Sequence, residues 1–128
     1  MSFYRFNDTI TLYTPIEYDY YERRIVTAVK TELIETDGKT GKKATVYIPI
    51  HSRRSLKYRA PSEKAMYEKS SFIVTAGQKI YLGRCPDEYP PESSLTVKTA
   101  VAHLSGSRHV QHVKIVAQND PSEEENYE

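Results

Sequence analysis

The sequence predicts a mostly-β chain: a small antiparallel β-barrel or sandwich of six to seven strands, with a long inserted loop and an acidic C-terminal tail. Three observations carry this prediction. Val, Ile, Thr, Tyr and Phe together number 43, against 16 for Leu, Ala and Met, and β-branched and aromatic side chains suit a pleated, half-buried surface. Apolar and polar residues alternate with period two in several short runs. Gly, Pro and Ser clusters punctuate those runs. A length of 128 residues fits one compact domain, placed here at residues 1–118, with 119–128 as the tail.

The first alternation is Thr9-Ile-Thr-Leu-Tyr13, with Ile10 and Leu12 on one face and Thr9, Thr11 and Tyr13 on the other. Pro15 lacks a ladder donor and is expected to end this strand. Residues 17–22 read as a polar, aromatic connection. A second strand is expected from Arg24 to Thr36, with Ile25, Thr27, Val29, Thr31 and Leu33 sharing a face. Asp37-Gly38 and Gly41 are turn signals. In the third strand, Ala44 to His51, residues Ala44, Val46, Ile48 and Ile50 share a face, and Pro49 implies an edge position or a bulge. Strands two and three thus form a long hairpin with a Lys-rich tip.

Residues 52–70 show no strand pattern and read as a long loop, of the kind that usually carries function. Within it, Pro61-Ser62-Glu63 suits the first turn of a short helix reaching about Lys69. Phe72-Ile-Val74 and Lys79-Ile-Tyr-Leu82 read as short strands turned by Gly77, and Cys85 to Pro91 as a rigid connector. The last strands are expected at Leu95–Leu104 and His109–Ala117, turned by Ser105-Gly106-Ser107. Val97, Thr99 and Val101 share a face of the former, where Ala100 and Ala102 also leave a helix open, and His109, Gln111, Val113 and Ile115 share a face of the latter, with Val110, His112, Lys114 and Val116 opposite.

Net charge is only +1, but its distribution is uneven. Residues 1–38 carry −3, 39–69 carry +7, 70–118 carry +2 and 119–128 carry −5. The tail is too polar to offset the entropy of ordering. It is a solvated tail, a docking peptide or an internal mimic of nucleic acid. The basic stretch supplies Lys39, Lys42 and Lys43 at the hairpin tip, then Arg53, Arg54, Lys57, Arg59, Lys64 and Lys69, with Tyr47, Tyr58 and Tyr67 interleaved. Such a density of charge holds a phosphate backbone or an acidic face of a neighbouring subunit; a solvated loop is the plain alternative.

Several function classes lose ground here. No run of about 18 apolar residues exists to span a membrane, and the N-terminus lacks the pattern of a cleaved secretory signal. One cysteine, Cys85, excludes an internal disulfide and a Cys-rich zinc site, and points to a reducing cytoplasm or a particle assembled there. Acidic Asp87 and Glu88 beside it disfavour a nucleophilic thiolate. His109 and His112 are three apart, so a strand sends them to opposite faces; this excludes one shared metal without a bulge and favours hydrogen bonds at a hairpin base. No phosphate-cradling Gly-rich loop and no hydrolase motif is present. No catalytic residue, metal or cofactor is therefore assigned. Eleven tyrosines and no tryptophan, with Tyr13, Tyr18, Tyr20 and Tyr21 clustered, suit either a Tyr-capped barrel surface or a subunit contact.

The succession Thr9-Ile-Thr-Leu-Tyr13, Arg24-Ile-Val-Thr-Ala-Val29, Val46-Tyr-Ile-Pro-Ile50 and Gly106-Ser-Arg-His-Val-Gln-His-Val113 resembles a family of phage and prophage proteins. These are minor capsid, or head–tail connector, proteins of tailed phages of Gram-positive bacteria. The motif Gly106-Ser107-x-His109-x-x-His112 is its most specific part, and Ile48-Pro49-Ile50 the next. The resemblance spans about residues 8–117. The chain departs from it in a longer, more basic 51–70 stretch and in the acidic tail. The resemblance implies a stopper-like head-completion subunit in the virion neck: a small β-barrel forming a ring with copies of itself, between portal or adaptor and tail terminator, assembled in the host bacterial cytoplasm. It brings no catalytic residues. The other readings are a small β-barrel module that binds nucleic acid through Lys57, Arg59 and nearby tyrosines, and a small enzyme with a spatially assembled polar pocket.

Overall fold

The computed structural model describes residues 8–17, 20–35, 41–51 and 56–119, without the side chains of Glu35 and His109. Six antiparallel strands close into a barrel: β1 (Asp8–Glu17), β2 (Tyr20–Glu35), β3 (Lys42–Pro49), β8 (His112–Gln118), β7 (Leu95–His103) and β6 (Lys79–Leu82), in that order around the wall. β1 completes the ring by pairing with β6, from Ile10↔Leu82 to Tyr13↔Lys79. An insert between β3 and β6 holds β4 (Lys57–Tyr58), α1 (Glu63–Tyr67) and β5 (Ser71–Phe72), with β4 and β5 paired in parallel. The Asp37-Gly38 turn signal and the acidic run 120–128 lie outside the described residues.

The core is the alternating set expected of a barrel interior: Ile10, Leu12, Val26, Val29, Ala44, Val46, Ile48, Ile80, Leu95, Val97, Val113, Ile115 and Ala117. Two of the faces expected from alternation break midway, each at a one-residue bulge. Ile10 pairs with Val26 and Asp8 with Val29, so β2 carries an extra residue there. Ala28 occupies it with φ +58°, in the left-handed region. Because side chains alternate strictly, one extra residue moves the inward set from Glu22, Arg24 and Val26 to Val29 and beyond. Ile25 and Thr27 therefore do not share the inward face of Val29. In β7, Val97 pairs with Ala117 and Thr99 with Val116. The extra residue, Lys98, sends Thr99 and Val101 outward, and Ala100 and Ala102 pack against the core instead.

The prolines follow the same logic of hydrogen-bond supply. Pro15 does not end β1; it lies within it, opposite Tyr21. β1's pairing with β6 stops at Tyr13, so the absent N–H of Pro15 leaves no partner unsatisfied. Pro49 likewise lies beyond the last β2 pair, Lys30↔Tyr47, which is the edge position expected for it. Of the expected 17–22 connection, Glu17 belongs to β1 and Tyr20, Tyr21 and Glu22 belong to β2, which begins opposite Glu17. The expected helix is present: the Ser62 hydroxyl accepts from the Ala65 N–H at 3.0 Å, capping α1. Phe72-Ile-Val74 is buried but does not form a barrel strand, and β4 was not signalled by any alternation. The final hairpin turns through residues 104–111 with a 3-10 turn at Arg108–Val110, a wider connection than Ser105–Ser107.

β1 is buried on both faces from Ile10 to Thr14 because the connector after β6 lies across its outside. The Tyr13 hydroxyl donates to the Asp87 carbonyl at 2.9 Å and the Thr11 hydroxyl to the Gly83 carbonyl at 2.7 Å. The Cys85 N–H donates back to Thr11 at 2.8 Å. Burial and the neighbouring Cys85 push the Tyr13 phenol well above its ordinary range. Gln78, fully buried, donates to Thr14 and to the Ile73 carbonyl and accepts from the Thr75 N–H. It ties the exit of the insert to β1.

Ala28 yields a direct check. An L-residue in the left-handed region costs about 1–2 kcal/mol, and a β-branched one more. Ala28→Val, a replacement that normally favours a strand, is expected to lower stability by about 2 kcal/mol. Ala28→Gly stays within about 0.5 kcal/mol of the parent, relief of strain offsetting a lost methyl. Urea unfolding of the three chains measures both.

Candidate functional site

The insert is held by two residues of β2. Glu22 and Arg24 are two apart and so project to one side of the strand. That side is the inward one, but β2 has no β3 partner before Lys30. The two charges consequently meet the insert rather than apolar side chains. Arg24, 6% exposed, donates from Nε to the Ser71 carbonyl at 3.1 Å and from one terminal nitrogen to the Met66 and Glu68 carbonyls, both at 3.1 Å. Its other terminal nitrogen reaches the Arg23 carbonyl and the Glu22 carboxylate, both at 3.0 Å. Glu22 also accepts from the Tyr20 hydroxyl at 2.6 Å and from Lys69 at 3.2 Å. Burial raises the Glu22 carboxyl, but the hydrogen bonds from Tyr20, Arg24 and Lys69 outweigh it and hold the group below its ordinary value.

On the opposite side of β2, Arg23 donates to the Cys85 carbonyl at 2.9 Å, and the rings of Tyr13, Tyr21 and Tyr89 meet edge to face at 6.1 and 6.3 Å. Between these two supports opens a cleft of about 220 Å³, bounded by Tyr20, Tyr21, Glu22 and Arg23 of β2, Lys69 of the insert, and Glu88 and Tyr89 of the connector. Tyr20 and Tyr89, which line it, are about half exposed; Tyr67 on α1 is exposed to the same degree but does not line the cleft. The Glu22 carboxylate already accepts from three donors, so the cleft offers a guest aromatic faces and the exposed Glu88 rather than a free general base.

The basic stretch does not form one patch. Lys42 and Lys43 are exposed at the start of β3, where Lys42 pairs with Glu35. Lys57 and Lys64 are exposed on the insert, and Arg59 is bound to Glu68 at 2.8 Å. The insert is fastened at Glu22, thirteen residues along β2 from Glu35, or roughly 40 Å of strand. The two groups of cations thus sit at opposite ends of the barrel. Lys39, Arg53 and Arg54 lie outside the described residues.

The Gly106-Ser107-x-His109-x-x-His112 motif builds the β7–β8 connection. Gly106 has φ +87°, and a Cβ there would lie 2.9 Å from the Val110 side chain, so the position favours glycine on two counts. Ser107 precedes the 3-10 turn. His112 Nδ1 lies 2.8 Å from the Val110 carbonyl, and its ring stacks on His103 at 4.8 Å. His51 Nε2 is 2.9 Å from the Gln111 side-chain oxygen. His112 thus makes a hydrogen bond at the base of the β7–β8 hairpin, as expected; the His51 contact instead links the end of β3 to the start of β8, and the His109 side chain lies outside the described residues. Among the described residues no three His, Cys, Asp or Glu side chains are placed to hold a metal, and no helix is long and apolar enough to cross a membrane. Cys85 is buried, its sulfur 3.6 Å from the Asp87 carboxylate.

Sequence reasoning noticed the tyrosines at 18–21 but not that Tyr89 of the connector meets Tyr20 and Tyr21 at the cleft. It also passed over a signal that was present: residues 93–119 contain no Asp or Glu, while Lys98, Arg108 and Lys114 fall within them. Comparison with protein-family models, with curated proteins and with solved structures returned no match.

Two outcomes follow for the Glu22–Arg24 pair. Arg24→Met leaves Glu22 buried with one donor fewer and should destabilise the chain by about 3–5 kcal/mol, whereas Arg59→Ala, at an exposed pair, should remove no more than about 1 kcal/mol. Glu22 is depressed in the folded state, so its contribution is full above the ordinary carboxylate range and is lost as pH falls through the folded value. Urea midpoints between neutral and acid pH should therefore fall less steeply for Glu22→Gln than for the parent.

Proposed function

We propose that this chain is a structural subunit of a tailed-phage neck: a stopper-like head-completion protein that forms a homo-oligomeric ring between portal or adaptor and tail terminator and helps retain packaged DNA. The observation that carries the reading is the placement of exposed apolar side chains on a closed barrel. Six of the eight large hydrophobics exposed among the described residues fall in two groups, Tyr20, Tyr67 and Tyr89 at the β1–β2 end and Val101, Leu104 and Val110 at the β7–β8 connection. In the strand order β1-β2-β3-β8-β7-β6 those strand pairs face each other across the barrel. Two different sticky faces on opposite sides are what a head-to-tail ring needs. The family resemblance of the strand and Gly-Ser-x-His motifs supports the same assignment.

The insert then has a role as a DNA-facing element. Lys57 and Lys64 project from it and would touch phosphates without reading bases, as a channel for any packaged sequence requires. A stand-alone nucleic-acid module receives less support, because Arg59 is engaged by Glu68 and the remaining lysines are divided between two ends of the barrel.

Replacing Arg53, Arg54, Lys57 and Arg59 by Ala should leave the fold intact and reduce DNA-filled, infectious particles of the phage or prophage that carries this chain. Unchanged particles would strip the loop of its role. Mass spectrometry of purified virions decides the assignment itself: the chain is expected in stoichiometric amount, and its absence would overturn the neck reading.

A further inference from the structure

We infer that the β7–β8 connection of one copy docks into the tyrosine-lined cleft of the next, making the two surfaces a matched head-to-tail pair; this rests on the ring-subunit reading above. β2 starts, and β7 ends, at the same end of the barrel, because β2, β3, β8 and β7 run alternately antiparallel. The cleft and the connection therefore stand at one level on opposite walls. A contact between them propagates around a ring in a single plane and uses each surface once.

The chemistry of the two surfaces is complementary. The connection is a convex turn carrying exposed Leu104 and Val110, respectively 60% and 57% exposed, within a 27-residue stretch, 93–119, that has no acidic residue. Arg108 is exposed in the 3-10 turn, with one guanidinium nitrogen 3.4 Å from His51 Nδ1. The cleft is concave and aromatic, and the connector that forms its wall bears the exposed acids Asp87, Glu88 and Glu92. Tyrosine and arginine are among the residues enriched at binding hot spots. The sign of charge sets the orientation and disfavours cleft-to-cleft or hairpin-to-hairpin pairing. The closed barrel offers no free edge strand among its six, so association has to use side chains of this kind.

The test uses the full-length chain at concentrations up to about 1 mM, where an interface of this small class associates. Sedimentation velocity should show concentration-dependent self-association of the parent. Arg108→Glu and Glu88→Arg, both exposed changes, should each weaken it about tenfold or more, and the double variant should recover it. A hairpin-blocked chain (Arg108→Glu with Val110→Asp) mixed with a cleft-blocked one (Glu88→Arg with Tyr89→Ala) should stop at a one-to-one dimer, since only one intact hairpin and one intact cleft remain. Circular dichroism confirms that each variant is folded. A parent that stays monomeric throughout, or variants that associate like it, would overturn the docking assignment and leave the neck reading to the virion analysis. A chain absent from virions would overturn the neck reading while leaving the docking result as measured.

Discussion

The Arg24 guanidinium is the constraint on which the working parts depend. An insert between β3 and β6 has three main-chain carbonyls, those of Met66, Glu68 and Ser71, turned toward the barrel. Carbonyls in a buried site need donors, and a single planar side chain with five N–H groups can serve several at once. Glu22 beside it balances the charge and in turn recruits Tyr20 and Lys69. Fixing the insert in this way has a second effect: it sets one wall of the tyrosine cleft. The structural ion pair and the candidate docking surface are thus one assembly of residues, reached from opposite sides of the same strand.

Most of the architecture was legible in the sequence, and the failures have physical causes. Period-two alternation located β1, β3 and β8, a short apolar run after the Gly77 turn located β6, and the Pro-Ser-Glu signature located α1, because each depends on local chemistry alone. Alternation failed within β2 and β7, where Ala28 and Lys98 each add one residue. No residue type marked these bulges; Ala28 in particular has none of the freedom that makes a bulge glycine visible. Pro15 misled for a different reason: whether a missing N–H matters depends on a neighbouring strand that local sequence does not reveal. The burial of Tyr13 and Thr11 on the outer face of β1 likewise depends on a connector more than 70 residues away.

The candidate site was less legible than the fold. Clustering of charge along the chain suggested one basic patch at 39–69, but a hairpin as long as β2–β3 carries its tip far from its base, so neighbours in sequence were parted in space. The cleft shows the converse. Tyr20 and Tyr21, Lys69, and Glu88 and Tyr89 come from three separate segments, and only the pinning of insert and connector to β2 brings them together. The structure sets an acidic connector against an acid-free β7–β8 connection, a charge asymmetry different from that between the first 38 residues and the next 31.

Closure of the barrel through β1 and β6 also shapes how the chain is made. Residues 8–49 can pair into a three-stranded meander as soon as they leave the ribosome, but the partner of Ile10–Tyr13 lies some 70 positions later. Until β6 is synthesised, β1 presents an unsatisfied row of main-chain donors and acceptors on one flank and β3 presents another. Such long-range pairing slows folding and leaves nascent edges open to the wrong partner. Pairing of β1 with β6 is therefore the late step that removes both exposed edges from the nascent chain.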